Sequence, residues 1–135
     1  MDIATRSIEG HRPRVLIVEN DPGVRRSMQL LLQGQGLDVK AYAASEPLLA
    51  DAALRPPDCF VADYLLDGPD GIAVLKALRH QGWEGPAILV SAFASEELST
   101  QALDAGFTQV FEKPLRERAL VDTVSRLARR RGGGG

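Results

Sequence analysis

Glu19, Asn20, Asp63, Ser91 and Lys113 each stand at or just after the end of a short apolar run, and their types suit holding a phosphoryl group on a carboxylate. Carboxylates drawn within a few ångströms of one another repel, and a hard divalent cation with oxygen ligands relieves the repulsion. Mg²⁺ fits that role because it binds few carboxylates and keeps waters for an incoming phosphoryl group. Glu19, Asn20 and Asp63 would supply its oxygens. Ser91 can donate a hydrogen bond, and Lys113 can set a point charge, toward oxygens of a group carried on Asp63. Asp63 is the most informative of the five. An acid directly after a buried apolar strand would otherwise sit at a desolvating position for no gain.

The elements that must position these residues follow from hydrophobic periodicity. Arg14–Val18 reads as a strand buried on both faces, since four successive apolar residues leave no solvated side. Asp21-Pro22 is an N-cap followed by proline at the first helical position, and Val24, Met28, Leu31 and Leu32 recur at helical spacing until Gly34 and Gly36. The pattern repeats. Leu37–Tyr42 is a second strand, and Ser45 is expected to cap a helix that ends at Leu54 before Pro56-Pro57. Cys59–Ala62 is a third strand, and after a turn-rich loop a helix runs from about Ile72 to His80. Ala87–Val90, a helix capped by Ser95 and stopped by Gly106, a short strand Gln109–Glu112 and a helix from Leu115 to about Arg130 complete the chain.

Strands alternating with helices give an α/β fold, a doubly wound parallel sheet of five strands covered on both faces. In such open sheets the working site lies beyond the carboxyl ends of the strands, which is where the five residues stand.

Composition narrows the class further. The length suits one domain, 44% of the residues are hydrophobic, and the net charge of −2 is too near neutral for a nucleic-acid-coating protein. That balance conceals an acidic body and a basic end rich in arginine, Arg126, Arg129, Arg130 and Arg131, which reads as cations complementing a helix dipole. The single Cys59 excludes an intramolecular disulfide and favours a reducing, cytoplasmic setting, with no apolar stretch of signal-peptide or membrane-spanning length. Cys59 itself reads as a small buried strand residue, and Trp83, in a Gly-Trp-Glu-Gly turn, as a cap over the sheet edge. His11 and His80 have no metal-ligand neighbours at useful spacing.

The ordered pieces Val15–Pro22, Asp63 with Gly71 eight residues on, Ser91-Ala92 and Lys113-Pro114 resemble the receiver domain of bacterial two-component response regulators over roughly residues 13–128. The resemblance implies a flavodoxin-like sheet in strand order 2-1-3-4-5. It implies that Asp63 is the phosphoacceptor, served by a sensor histidine kinase or phosphotransfer protein in a Mg²⁺-dependent step. By the same resemblance Ser91 is the switch hydroxyl, Lys113 pairs with a phosphoryl oxygen, the Leu65 backbone carbonyl joins Glu19, Asn20 and Asp63 as a metal ligand, and the Lys113–Pro114 bond can be cis.

Three departures are visible. Asn20 stands where the family usually has a second acid, so weaker Mg²⁺ binding is expected. Val110 occupies the position of the family's switch aromatic, so coupling to the surface would run through Phe111, Phe93 or the backbone. Asp67 and Pro69 alter the usual loop order while keeping its length. The expected organisation is a polar N-terminal extension over residues 1–13, a receiver over 14–131 and a flexible glycine tail over 132–135. That leaves no room in this sequence for a DNA-binding or catalytic output domain. The expected function is a signalling switch, not an ordinary enzyme, acting on a downstream protein target without direct nucleic-acid or membrane contact, with a homodimer possible. The alternative is a degenerate receiver that binds proteins independently of phosphorylation. A Mg²⁺-dependent phosphohydrolase is disfavoured because Leu65 stands where such enzymes place a general acid.

Overall fold

The computed structural model describes residues 12–133. Five strands, β1 (Arg14–Val18), β2 (Asp38–Tyr42), β3 (Cys59–Asp63), β4 (Ala87–Ser91) and β5 (Gln109–Glu112), alternate with five helices. The helices are α1 (Pro22–Gln33), α2 (Ser45–Leu54), α3 (Gly71–His80), α4 (Glu96–Ala105) and α5 (Glu117–Gly133). All pairings are parallel and the order is β2-β1-β3-β4-β5, as expected.

Side-chain alternation along the strands divides the core in two. Val15, Ile17, Cys59, Val61, Ile88 and Val90 face α1 and α5, meeting Met28, Leu32, Leu120 and Val124. Leu16, Val18, Phe60, Ala62 and Leu89 face α2, α3 and α4, meeting Leu48, Leu75, Leu78 and Leu98. Each fully buried aliphatic side chain of this kind contributes about 1.5–3 kcal/mol.

The helix starts follow local chemistry. Asp21 caps α1 by accepting from the N–H groups of Gly23 and Val24 at 2.9 and 3.1 Å. Ser95 caps α4 by accepting from Leu98, and Gly106 ends that helix at φ 112°, where a Cβ would be strained. Asp70, not singled out from the sequence, caps α3 by accepting from Ala73 N–H.

Several expectations are corrected. Ser45 is the first residue of α2, and Ala44 precedes it without a side-chain cap. A serine already within the helical turn cannot fold its hydroxyl over the first free N–H groups. The last helix begins at Glu117 because its first backbone bond runs from Leu120 N–H to the Arg116 carbonyl, and it continues to Gly133. Residues 1–11, including His11, and 134–135 lie outside the described residues. Trp83 is not at the sheet edge. It is buried against Phe60 of the central β3, edge to face with centroids 6.4 Å apart, and its Nε1–H donates to the Pro57 carbonyl at 2.7 Å.

Arg14 opens β1 and, although charged, is only 4% exposed. Its guanidinium donates to both Asp51 carboxylate oxygens at 2.9 Å and to the Arg55 carbonyl at 2.6 Å, while the Tyr42 hydroxyl also donates to Asp51. Burial alone would raise the Asp51 pKa, yet Tyr42 and Arg14 together hold it below its usual 3.8. This network ties β1, β2 and α2 together at a point where an unpaired arginine would be costly. Cys59 is buried, and burial pushes its thiol up to about 12, as befits an inert packing residue.

Candidate functional site

Alternation explains why the site assembles. Glu19 continues the parity of Val15 and Ile17, Asp63 that of Cys59 and Val61, and Lys113 that of Phe111, all on the α1/α5 face. The β1–β3 register, with Val18 beside Ala62, then sets Glu19 next to Asp63 at the carboxyl ends of neighbouring strands. Lys113 arrives from β5 and bridges both carboxylates, its Nζ 3.1 Å from Glu19 Oε1 and 3.3 Å from Asp63 Oδ2. Glu19 is completely buried and Asp63 is 5% exposed, so two acids share one ammonium in a poorly solvated corner.

The electrostatics follow from that crowding. Burial pushes the Glu19 carboxyl above its ordinary 4.5, and the neighbouring Asp63 raises it further, against the Asp21 N–H and Lys113, which favour the ionised form. Burial alone would lower the Lys113 pKa, but Glu19 and Asp63 outweigh it and hold the ammonium above its usual range. The Glu19 Oε2 accepts from Asp21 N–H at 3.1 Å. Its Oε1 is buried and meets the Lys113 charge without an aligned hydrogen bond. A buried carboxylate oxygen left in that condition, beside a second carboxylate, fits a Mg²⁺ ion, which the chain would meet with few carboxylates and complete with water.

The other expected residues are placed differently. Asn20 is exposed at the rim, one residue beyond Glu19, and Leu65 is 55% exposed in the loop after β3. Ser91 is buried at the end of β4, but it has the parity of Leu89, on the opposite face from the trio. Its Oγ accepts from Phe93 N–H at 3.1 Å and lies 3.3 Å from the Phe93 carbonyl, so the hydroxyl is engaged in its own turn. Phe93 is 75% exposed, Val110 is half-buried on the α2–α4 face, and Phe111 lies on the α1/α5 face. The Lys113–Pro114 peptide is cis.

Gly71 has a steric reason to be glycine. A Cβ there would lie 2.5 Å from the Asp63 carbonyl oxygen and 2.9 Å from Leu89 Cδ1, and the Gly71 N–H donates to the Tyr64 carbonyl at 2.9 Å. The start of α3 thus presses directly on the backbone that carries Asp63. Gly71→Ala is expected to destabilise the fold by about 2–3 kcal/mol, the cost of overpacking against main chain. Thermal denaturation checks this, and a midpoint equal to that of the parent would refute it.

Arg25 escaped notice in the sequence because its bond is to main chain: its Nη1 donates to the Glu19 carbonyl at 2.8 Å. No residue pattern announces a contact with a backbone oxygen six positions away.

With this geometry in place, known proteins supply a comparison. The model of the response regulator receiver domain matches residues 15–125. The chain belongs to the response regulator receiver family. The receiver is 37% identical over 101 residues to the KDP operon transcriptional regulatory protein KdpE of Escherichia coli, covering 74% of this chain and 44% of that one. It is 33% identical over 120 residues to the transcriptional regulatory protein PrrA of Mycobacterium tuberculosis, covering 89% and 52% respectively. Among solved structures, the receiver domain of Francisella response regulator 1452 superposes with a TM-score of 0.82 at 27% identity, covering 88% of this chain and 98% of that one. The receiver spans about half the length of the curated relatives it matches. Among the described residues no helix is long and apolar enough to cross a membrane.

Proposed function

We propose that Asp63 accepts a phosphoryl group from a sensor histidine kinase or phosphotransfer protein with Mg²⁺ bound, and that the modified receiver changes which downstream protein it binds. The observation that carries this reading is the buried Glu19–Asp63 pair sharing the Lys113 ammonium. In the transfer, an Asp63 carboxylate oxygen forms a bond to phosphorus as the donor's phosphorus–nitrogen bond breaks, and the electron pair leaves on the donor imidazole. Glu19, Asn20, Asp63 and the Leu65 carbonyl are the residues that would hold Mg²⁺. The ion would neutralise the paired carboxylates and the phosphoryl oxygens. Lys113 already lies beside Asp63 and needs only a small shift to pair with a phosphoryl oxygen. Ser91 would have to give up its bond from Phe93 N–H to turn its hydroxyl toward the same group. The receiver would act in the cytoplasm as a signalling switch that catalyses its own phosphorylation and dephosphorylation.

Incubation with acetyl phosphate and Mg²⁺ tests the proposal. A mass gain of one phosphoryl group, removed by hydroxylamine as an acyl phosphate is, is the expected result. An unchanged mass at saturating donor and Mg²⁺ would sink it.

Asn20 tunes this site downward. Replacing it by Asp adds a carboxylate at an exposed rim position, and Asn20→Asp is expected to tighten Mg²⁺ binding about tenfold, because ligand charge sets affinity for hard cations. Equal affinities of the two proteins in a calorimetric titration would remove Asn20 from the ligand set.

A further inference from the structure

We infer that Arg25 is a positioning residue for the metal-binding segment, a role that rests on the proposed Mg²⁺ site and extends it to a group outside the ligand set. Glu19 leaves the end of β1 with both of its main-chain groups pinned. Its N–H donates to the Tyr42 carbonyl at 3.0 Å, and its carbonyl accepts from Arg25 Nη1 at 2.8 Å. The Glu19 carbonyl and the Asn20 N–H belong to one peptide plane, so the guanidinium fixes the rotation of the plane that joins the two proposed ligands. Asn20 is exposed at the rim, and Glu19 is buried with one carboxylate oxygen on the Asp21 N–H. Arg25 is itself anchored in the first turn of α1, its N–H donating to the Asp21 carbonyl at 2.9 Å. The arginine therefore closes a short loop, from Glu19 through Asp21 and back, that holds the acidic turn in one shape.

Two roles for this cation predict opposite signs. As a charge alone, Arg25 repels a dication, and removing it would strengthen Mg²⁺ binding. As a clamp on the Glu19–Asn20 peptide, it preorganises the ligands, and removing it would weaken binding by about tenfold, as loss of an outer-shell partner does.

The test compares Arg25→Met, which keeps the aliphatic stem, with Arg25→Lys, which keeps a charge and a donor. Titration with MgCl₂, followed by the amide resonances of residues 19–21 and 63–65, is expected to show about tenfold weaker binding in Arg25→Met and recovery to within about threefold of the parent in Arg25→Lys. Amide exchange in the metal-free proteins gives a second reading. The Asp21 N–H should exchange at least about tenfold faster in Arg25→Met while core amides such as Leu16 and Val61 keep their rates. Unchanged or tighter Mg²⁺ binding in Arg25→Met would overturn the inference, as would a uniform rise in exchange. If the parent protein itself showed no response to MgCl₂, the metal-site reading would fail, and the exchange rates would still decide whether Arg25 holds the turn.

Discussion

Asp63→Asn is expected to abolish phosphoryl uptake from acetyl phosphate while leaving the fold intact. The amide keeps the size of the carboxylate at a position that is 5% exposed, so packing at the end of β3 survives. What is lost is the nucleophile, because an amide oxygen does not form a stable acyl phosphate. The charge change is tolerable. Lys113 retains Glu19 at 3.1 Å, and Glu19 is relieved of a neighbouring carboxylate that pushes its own pKa up. Intact-mass measurement after incubation with donor and Mg²⁺ should show no phosphoryl gain in Asp63→Asn, at least about a hundredfold below the parent. Circular dichroism should show an undisturbed cooperative transition. A phosphoryl gain that persisted in Asp63→Asn would place the acceptor elsewhere, with Glu19 and Asp21 as the first residues to examine.

Glu19→Gln is expected to move stability and metal binding in opposite directions. The Glu19 carboxyl titrates above its ordinary 4.5 because it is buried and lies beside Asp63. The folded protein thus keeps this proton at pH values where the unfolded chain has already released it. Stability attributable to Glu19 is present in full below about pH 4 and declines as pH rises through the elevated folded value. At neutral pH and without Mg²⁺, burial and the neighbouring Asp63 therefore work against a charge on Glu19, and Glu19→Gln should be more stable than the parent. The advantage should vanish in acid. Asp51, held below its usual 3.8, works in the other direction and loses its contribution as pH falls, but it is common to both proteins and cancels in the difference. Mg²⁺ should invert the order, stabilising the parent by mass action while Glu19→Gln, short of one anionic ligand, binds at least about tenfold more weakly. Denaturation midpoints measured from acid to neutral pH, with and without MgCl₂, check every part. A Glu19→Gln protein less stable than the parent at neutral pH without Mg²⁺ would show that the Lys113 pairing outweighs burial and repulsion.

Much of this architecture was legible because apolar β-branched runs and helical periodicity are local signals. Asp21-Pro22 announces the start of α1, Ser95 and Gly106 bracket α4, and the three runs of β1, β3 and β4, buried on both faces, imply a covered parallel sheet. Trp83 and Arg14 depart from that local logic through tertiary contacts. Trp83 lies in a turn by sequence, but the Pro57 carbonyl and the Phe60 ring draw it inward. Arg14 is a charged residue at the start of an apolar run, and Asp51 of α2 with the Arg55 carbonyl just beyond that helix accommodates its guanidinium.

The sequence by itself determined the class of fold and the set of polar residues that stand at the carboxyl ends of the strands, because each depends on residue type and on spacing along a single strand or helix. Only the tertiary structure decided which members of that set meet. Glu19, Asp63 and Lys113 converge because the parallel register aligns strands separated by 44 to 50 residues with one shared side-chain parity, while Ser91 carries the opposite parity and turns to Phe93. Register between distant strands, and bonds to main-chain carbonyls such as that of Arg25 to Glu19, are set by three-dimensional packing and leave no local mark in the order of the residues.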